Sequence, residues 1–170
     1  MLLSYPKVRT FAAQALAKLI KDKYPSVNKI AGVATAGVAH GALVAHILDL
    51  PYAYVRPEPK KHGKGQQIEG IINSDDHVVL VEDLISTGKS SLKALNAVRS
   101  KCPNALGVVA LFTYEFPEAE ANFEKANCTY DTLGNYSSLL GYALEMGFIK
   151  EEELDLLNSW RKDPANWNNI

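Results

Sequence analysis

Cysteine is scarce. The 170 residues hold two, Cys102 and Cys128, and neither sits in a CxxC or Cys/His spacing, which excludes a disulfide framework and structural zinc and fits reduced thiols. An excess charge of one sign is missing too: 18 Lys+Arg stand against 19 Asp+Glu, a net charge of −1. No global field therefore draws nucleic acid, and no basic helix supplies a local one. The opening MLLSYPKVRT lacks the apolar run of a secretory signal, so the cytoplasm is the expected location. Only Ile30 to Leu48, free of Asp, Glu, Lys and Arg, approaches the length of a membrane span. Its Gly-Val-Ala-His-Gly centre joins a β-rich half to an alanine-rich half, which reads as a buried strand followed by a helix, with no membrane role.

What is present suits one globular domain over residues 1–170, long enough to bury roughly 70% of its unfolded surface without crosslinks. Helical spacing of Phe11, Ala12, Ala15, Leu16, Leu19 and Ile20 marks an amphipathic helix from Tyr5 to Tyr24. A strand at Lys29 to Ala34, a helix at Val38 to Asp49 and a strand at Tyr52 to Val55 make a βαβ unit. Arg56 to Gln67, RPEPKKHGKGQQ, is a long polar loop. Beyond it the pattern gives a strand at His77 to Val81, a helix at Gly88 to Ser100, a strand at Ala105 to Thr113, a helix at Glu118 to Ala126 and a short strand at Thr129 to Leu133. Helices near Ser137 to Met146 and Glu151 to Trp160 close the chain. Unbroken apolar strands separated by helices predict an α/β fold: an open, mainly parallel sheet flanked by helices on both faces. Ligands of such sheets bind beyond the carboxyl ends of the strands. Function is therefore expected in Thr35 to Gly37, Arg56 to Gln67 and Glu82 to Ser90.

The strongest signal is HVVLVEDLISTGKSS, residues 77–91. A buried strand ends in two acids, and a turn of small residues then opens a helix. The N–H groups of Ser86, Thr87, Gly88, Lys89 and Ser90 form an anion site with hydroxyl donors beside them. Glu82 and Asp83 can accept hydrogen bonds from sugar hydroxyls next to that anion. A ribose 5-phosphate pocket follows. Gly88-Lys89-Ser90 is not the end of a P-loop, because that motif needs glycine where Asp83 stands. His40 and His46 lie on an apolar helix without paired carboxylates, so packing or hydrogen bonding is expected of them in place of metal ligation.

This segment, with Leu84 and Ile85 inside it, resembles the phosphoribosyl pyrophosphate (PRPP) motif of type I phosphoribosyltransferases. RPEPKKHGKGQQIEG is similar to the mobile catalytic loop of the orotate phosphoribosyltransferases, and LSYPKVR, IAGVATAGVAHGA, VVALFTYEF, TLGNYSSLL and WRKDP extend the resemblance along the chain. The resemblance implies transfer of ribose phosphate from PRPP to orotate, with Mg²⁺ as cofactor and no metal ligated directly by the protein. It assigns catalytic work to Lys60, His62 and Asp83, and PRPP contacts to Arg56, Lys60, His62 and Glu82 through Ser90. It makes Thr35, Ala36 and Gly37 the pyrophosphate loop, with Ser86 also beside orotate. It further implies a homodimer whose loop 56–67 reaches the neighbouring site. A loop cation near pyrophosphate has a clear physical use, since it stabilises charge developing on the leaving group.

Three departures accompany the resemblance. Ala36 and Pro57 stand where many relatives carry cations. Thr113-Tyr114-Glu115 stands where some place an arginine for the orotate carboxylate, and Tyr114 is read as structural. Relatives also carry a segment ahead of LSYPKVR that forms a hood over the base, so this sequence is expected to hold the PRPP core with base contacts incomplete. Two other readings use the same core: a PRPP-sensing regulator, which would want a nucleic-acid face, and a purine-type transferase, whose loop would lack Lys60-Lys61-His62-Gly63.

Overall fold

The structure is a computed structural model that describes residues 2–59 and 66–167. After a 3-10 turn at Leu2–Ser4 the order is α1 (Pro6–Lys23), β1 (Lys29–Val33), α2 (Gly37–Leu48), β2 (Tyr52–Val55), β3 (Ile68–Glu69), β4 (Val78–Ile85), α3 (Lys89–Arg99), β5 (Ala105–Thr113), α4 (Pro117–Lys125), β6 (Thr129–Asn135) and α5 (Tyr136–Glu145). A 3-10 turn at Glu151–Glu153 then leads into α6 (Leu154–Lys162). The strands form one six-stranded sheet ordered β3-β2-β1-β4-β5-β6. Every pairing is parallel except that of β2 with the short β3.

Alternation along the central strands builds two cores. Val78 and Leu80 of β4 and Val108 and Ala110 of β5 pack with Leu95, Val98 and Phe123 of α3 and α4. Their neighbours Val79, Val81 and Val109 face the opposite way, onto Leu16 and Ile20 of α1 and Val44 of α2. Because successive strand residues point to opposite faces, a sheet covered on both sides needs the continuous apolar runs that the sequence shows. Each such side chain, fully buried, contributes about 1.5–3 kcal/mol.

The charge-free stretch from Ile30 to Leu48 is divided between β1, buried at all five positions, and the twelve-residue α2. Among the described residues no helix is long and apolar enough to cross a membrane. Cys102 and Cys128 are both free thiols. Several boundaries differ from expectation: β6 runs to Asn135, α6 spans Leu154–Lys162, and, most of all, β4 continues past Val81 to Ile85, because Glu82, Leu84 and Ile85 stay in register with Ala110, Phe112 and Thr113 of β5.

Candidate active site

Strand order reverses between β1 and β4, where α2 leaves the sheet on one face and α3 on the other. Crevices of this kind open at the carboxyl ends of the strands. The β1–α2 turn and the β4–α3 turn flank it. Thr35 and Ala36 are exposed, and Gly37 is buried at the start of α2. A β-carbon on Gly37 would come within 3.1 Å of Glu82 Cα, so the two turns meet in the backbone itself.

The extension of β4 decides how its acids are used. Glu82 continues the row of Val78 and Leu80, and Asp83 continues that of Val79 and Val81. The two side chains leave the strand on opposite faces, yet the carboxyls stay close enough to interact at its end. Glu82 is 4% exposed and lies beneath α3. Its Oε2 accepts from Ser91 Oγ at 3.3 Å and Ser90 Oγ at 3.5 Å, and its Oε1 accepts from Asp83 N at 3.1 Å. Burial, with Asp83 adjacent, pushes the Glu82 carboxyl up to about 8. Asp83 is half-buried and stands on the α2 face. His40 on that face is 4% exposed, and its Nδ1 has no hydrogen-bond partner. Burial lowers the His40 pKa, and the charge of Asp83 opposes the shift. His46 is exposed. Buried Ser91, which fixes Glu82, was not among the expected site residues, although its helical spacing with the buried Ala94, Leu95 and Val98 of α3 would have pointed to it.

The turn after β4 is held from below. Gly88 takes φ +77° as the N-cap of α3, and a β-carbon there would lie 2.6 Å from the Phe123 ring. Thr87 O accepts from Asn122 Nδ2 at 2.9 Å. Leu92 N makes the first bond of the helix, to Gly88 O at 2.9 Å. The amides of Lys89, Ser90 and Ser91 therefore precede any intrahelical acceptor, as an anion site requires. Leu84 and Ile85 are the last residues of β4 and support the turn. Lys89 is exposed and pairs with Glu118 at 2.8 Å.

Arg56 directly follows β2, where its Nη1 lies 3.4 Å from Glu69 Oε1 on the antiparallel β3. A crevice of about 150 Å³ between Arg56, Ala34 and Ser90 joins the ends of β1 and β2 to α3. Lys60 and His62 lie outside the described residues.

The arrangement is thus an anion-binding helix N-terminus, a half-buried carboxylate and a second helix N-terminus around one switch point. Residues 2–138 match the family model described as the phosphoribosyl transferase domain. The orotate phosphoribosyltransferase of Enterococcus faecalis is 50% identical over 165 residues, 97% of this chain and 79% of that one. This chain belongs to the orotate phosphoribosyltransferase family. The type I phosphoribosyltransferase fold is also that of the orotate phosphoribosyltransferase of Aeropyrum pernix, at a TM-score of 0.71 and 24% identity over 88% of this chain and 81% of that one. Leishmania donovani UMP synthase aligns at a TM-score of 0.77 and 22% identity, covering 94% of this chain and 34% of its own. Family membership gives the switch-point crevice its context, and the local geometry says which atoms face it.

Proposed function

We propose that the protein transfers the phosphoribosyl group of PRPP to orotate, giving orotidine 5′-monophosphate and pyrophosphate in pyrimidine synthesis. The observation that carries the reading is the meeting of the Gly88-capped α3 N-terminus with Asp83 across the β1/β4 switch point. The amides of Ser86 through Ser90 take the 5′-phosphate, with the Ser86 and Thr87 hydroxyls as further donors. Asp83 accepts the ribose hydroxyls and offsets the positive charge that grows on the sugar as its bond to pyrophosphate breaks. Glu82, bonded to Ser90 and Ser91, holds the first turn of α3 against β4 and acts on the ribose through that placement.

Because Ala36 brings no cation, the backbone at Thr35 to Gly37 and the α2 N-terminus bind the pyrophosphate oxygens. Arg56, Lys60 and His62 supply positive charge from loop 56–67. The donor chemistry fits an ion carried by the substrate: Mg²⁺ keeps several waters and shares substrate phosphates, so Asp83 would hold it only through the ribose hydroxyls, without direct ligation. Bound there, Mg²⁺ neutralises charge on the leaving group. A homodimer in the cytoplasm, with loop 56–67 reaching the partner's site, completes the proposal.

The test is the loss of orotate ultraviolet absorbance on adding Mg·PRPP, with one pyrophosphate released per orotate consumed. Turnover of adenine or hypoxanthine with orotate inert would make the protein a purine enzyme. Tight PRPP binding without turnover of any base would make it a sensor.

A further inference from the structure

The chain beyond β6 returns to the carboxyl end of the sheet and builds a second wall beside the phosphate turn. Tyr114 N donates to Ile85 O at 3.2 Å, so the residues after β5 lie next to Ser86 and Thr87. Tyr114 stacks on Phe116 with ring centroids 5.2 Å apart, and Trp160 of α6 meets both rings edge-on at 5.6 Å. α6 is fixed by that cluster, and Arg161 is the residue that follows Trp160. A cavity of about 440 Å³ opens between Thr87, Phe116, Glu118 and the segment from Arg161 to Ala165.

Arg161 is held on one side only. Its Nη1 donates to Ser137 Oγ at 2.7 Å and to Glu115 Oε2 at 3.1 Å, and its Cζ lies 5.9 Å from the centre of the Tyr136 ring. Nε and Nη2 have no hydrogen-bond partner among the described residues. A guanidinium anchored through one nitrogen presents the rest of its planar fork to a second carboxylate. The anchor is rigid. Ser137 donates both N–H and Oγ–H to Glu115 Oε2, at 2.8 and 2.6 Å. Glu115 adopts φ +57°, a conformation that tertiary contacts must impose on a non-glycine residue.

Two acids and two cations line the cavity, and their partners decide what is left open to it. Glu118 is paired with Lys89, and Asp163 accepts from Asn166 N and Nδ2 at 3.3 and 2.8 Å. Both acids have partners of their own, and Arg161 keeps an open donor edge beside the exposed Lys162.

We propose that Arg161 is the specificity-determining cation of the base pocket, reading through its free edge the carboxylate that distinguishes orotate from uracil. This rests on the transferase reading above. It makes α6, far along the chain from the PRPP motif, part of the site.

Orotidine 5′-monophosphate and uridine 5′-monophosphate differ only by that carboxylate, so their affinities, measured by calorimetry on the full chain, isolate the contact. Arg161→Met should weaken the orotidine nucleotide about 10- to 100-fold while leaving the uridine nucleotide unchanged, since one charge-assisted pair is lost. Arg161→Lys keeps the charge and the reach to Glu115 but not the fork, and should lose part of the preference with its thermal midpoint retained. The orotate-to-uracil ratio of kcat/KM should fall in step, with KM for PRPP unmoved. A preference kept in both variants, or an equal weakening of both nucleotides, overturns the role of Arg161 and leaves the transferase standing. A parent chain that binds the uridine nucleotide as tightly as the orotidine one, and leaves orotate unconsumed, removes the transferase reading and this inference with it.

Discussion

Glu82→Gln should free the protein of a pH-dependent loss of stability. In the fold the Glu82 carboxyl is pushed from its ordinary 4.5 up to about 8, burial being the main cause and the adjacent Asp83 the next. The sign follows from the direction. Below pH 4.5 the carboxyl is protonated in both states and exacts no penalty. Between 4.5 and about 8 the unfolded chain ionises while the folded one does not, so stability falls as pH rises. Each decade of pH corresponds to about 1.4 kcal/mol, giving a loss on the order of 5 kcal/mol by pH 8. Exposure of 4% leaves little solvent screening to reduce that figure. Glutamine copies the neutral acid: its carbonyl can accept from Asp83 N and its amide can donate to Ser91 Oγ. Urea unfolding of parent and variant from pH 5 to 8.5 provides the assay, with stabilities extrapolated linearly to water. The two should be nearly equal at pH 5, and the variant should be several kcal/mol more stable at pH 8. A stability difference that stays constant across that range would refute the reasoning, because it would place an ionised Glu82 in the folded protein at neutral pH.

Asp83→Asn should weaken Mg·PRPP binding by about 10-fold or more, since a charged acceptor is lost at the ribose; unchanged affinity in calorimetry would move the ribose off Asp83. Gly88→Ala should cost about 1–2 kcal/mol for left-handed backbone, plus the strain of moving the Phe123 ring. Its effect should appear in both thermal unfolding and PRPP affinity, and a variant as stable as the parent would show that the turn tolerates a side chain. Lys29→Met should destabilise by about 3–5 kcal/mol at neutral pH, because it strands Asp76 in a buried ion pair at the amino end of the sheet. Burial there opposes ionisation, but Lys29 and the Asn73 amide outweigh it and hold the Asp76 carboxyl low. That stability is present above the ordinary aspartate range and is lost as pH falls, so the gap between parent and Lys29→Met should narrow toward acid in equilibrium unfolding.

Much of the fold is legible in the sequence because each signal is local. The apolar runs of β1, β4 and β5 read as strands because a sheet covered on both faces tolerates no alternation, and β2 and β5 match their expected bounds. The strand end at Val81 was not legible in this way. Glu82 and Asp83 look like the close of an apolar run, and only the ladder to β5 carries the strand on to Ile85. That extension separates the acids onto opposite faces, sending one beneath α3 and leaving the other at the crevice.

The order of elements, the two-sided sheet and the glycine turn that opens α3 are all written locally in the chain, since propensity, apolar period and glycine placement act over a few residues. Tertiary structure alone decided which carboxyl is buried neutral and which stays half-buried at the crevice, because strand register and helix packing set the local dielectric. It alone brought Arg161 to Glu115 across 46 positions of chain. No local pattern marks that pair, because its geometry depends on how α6 docks against the rings that follow β5.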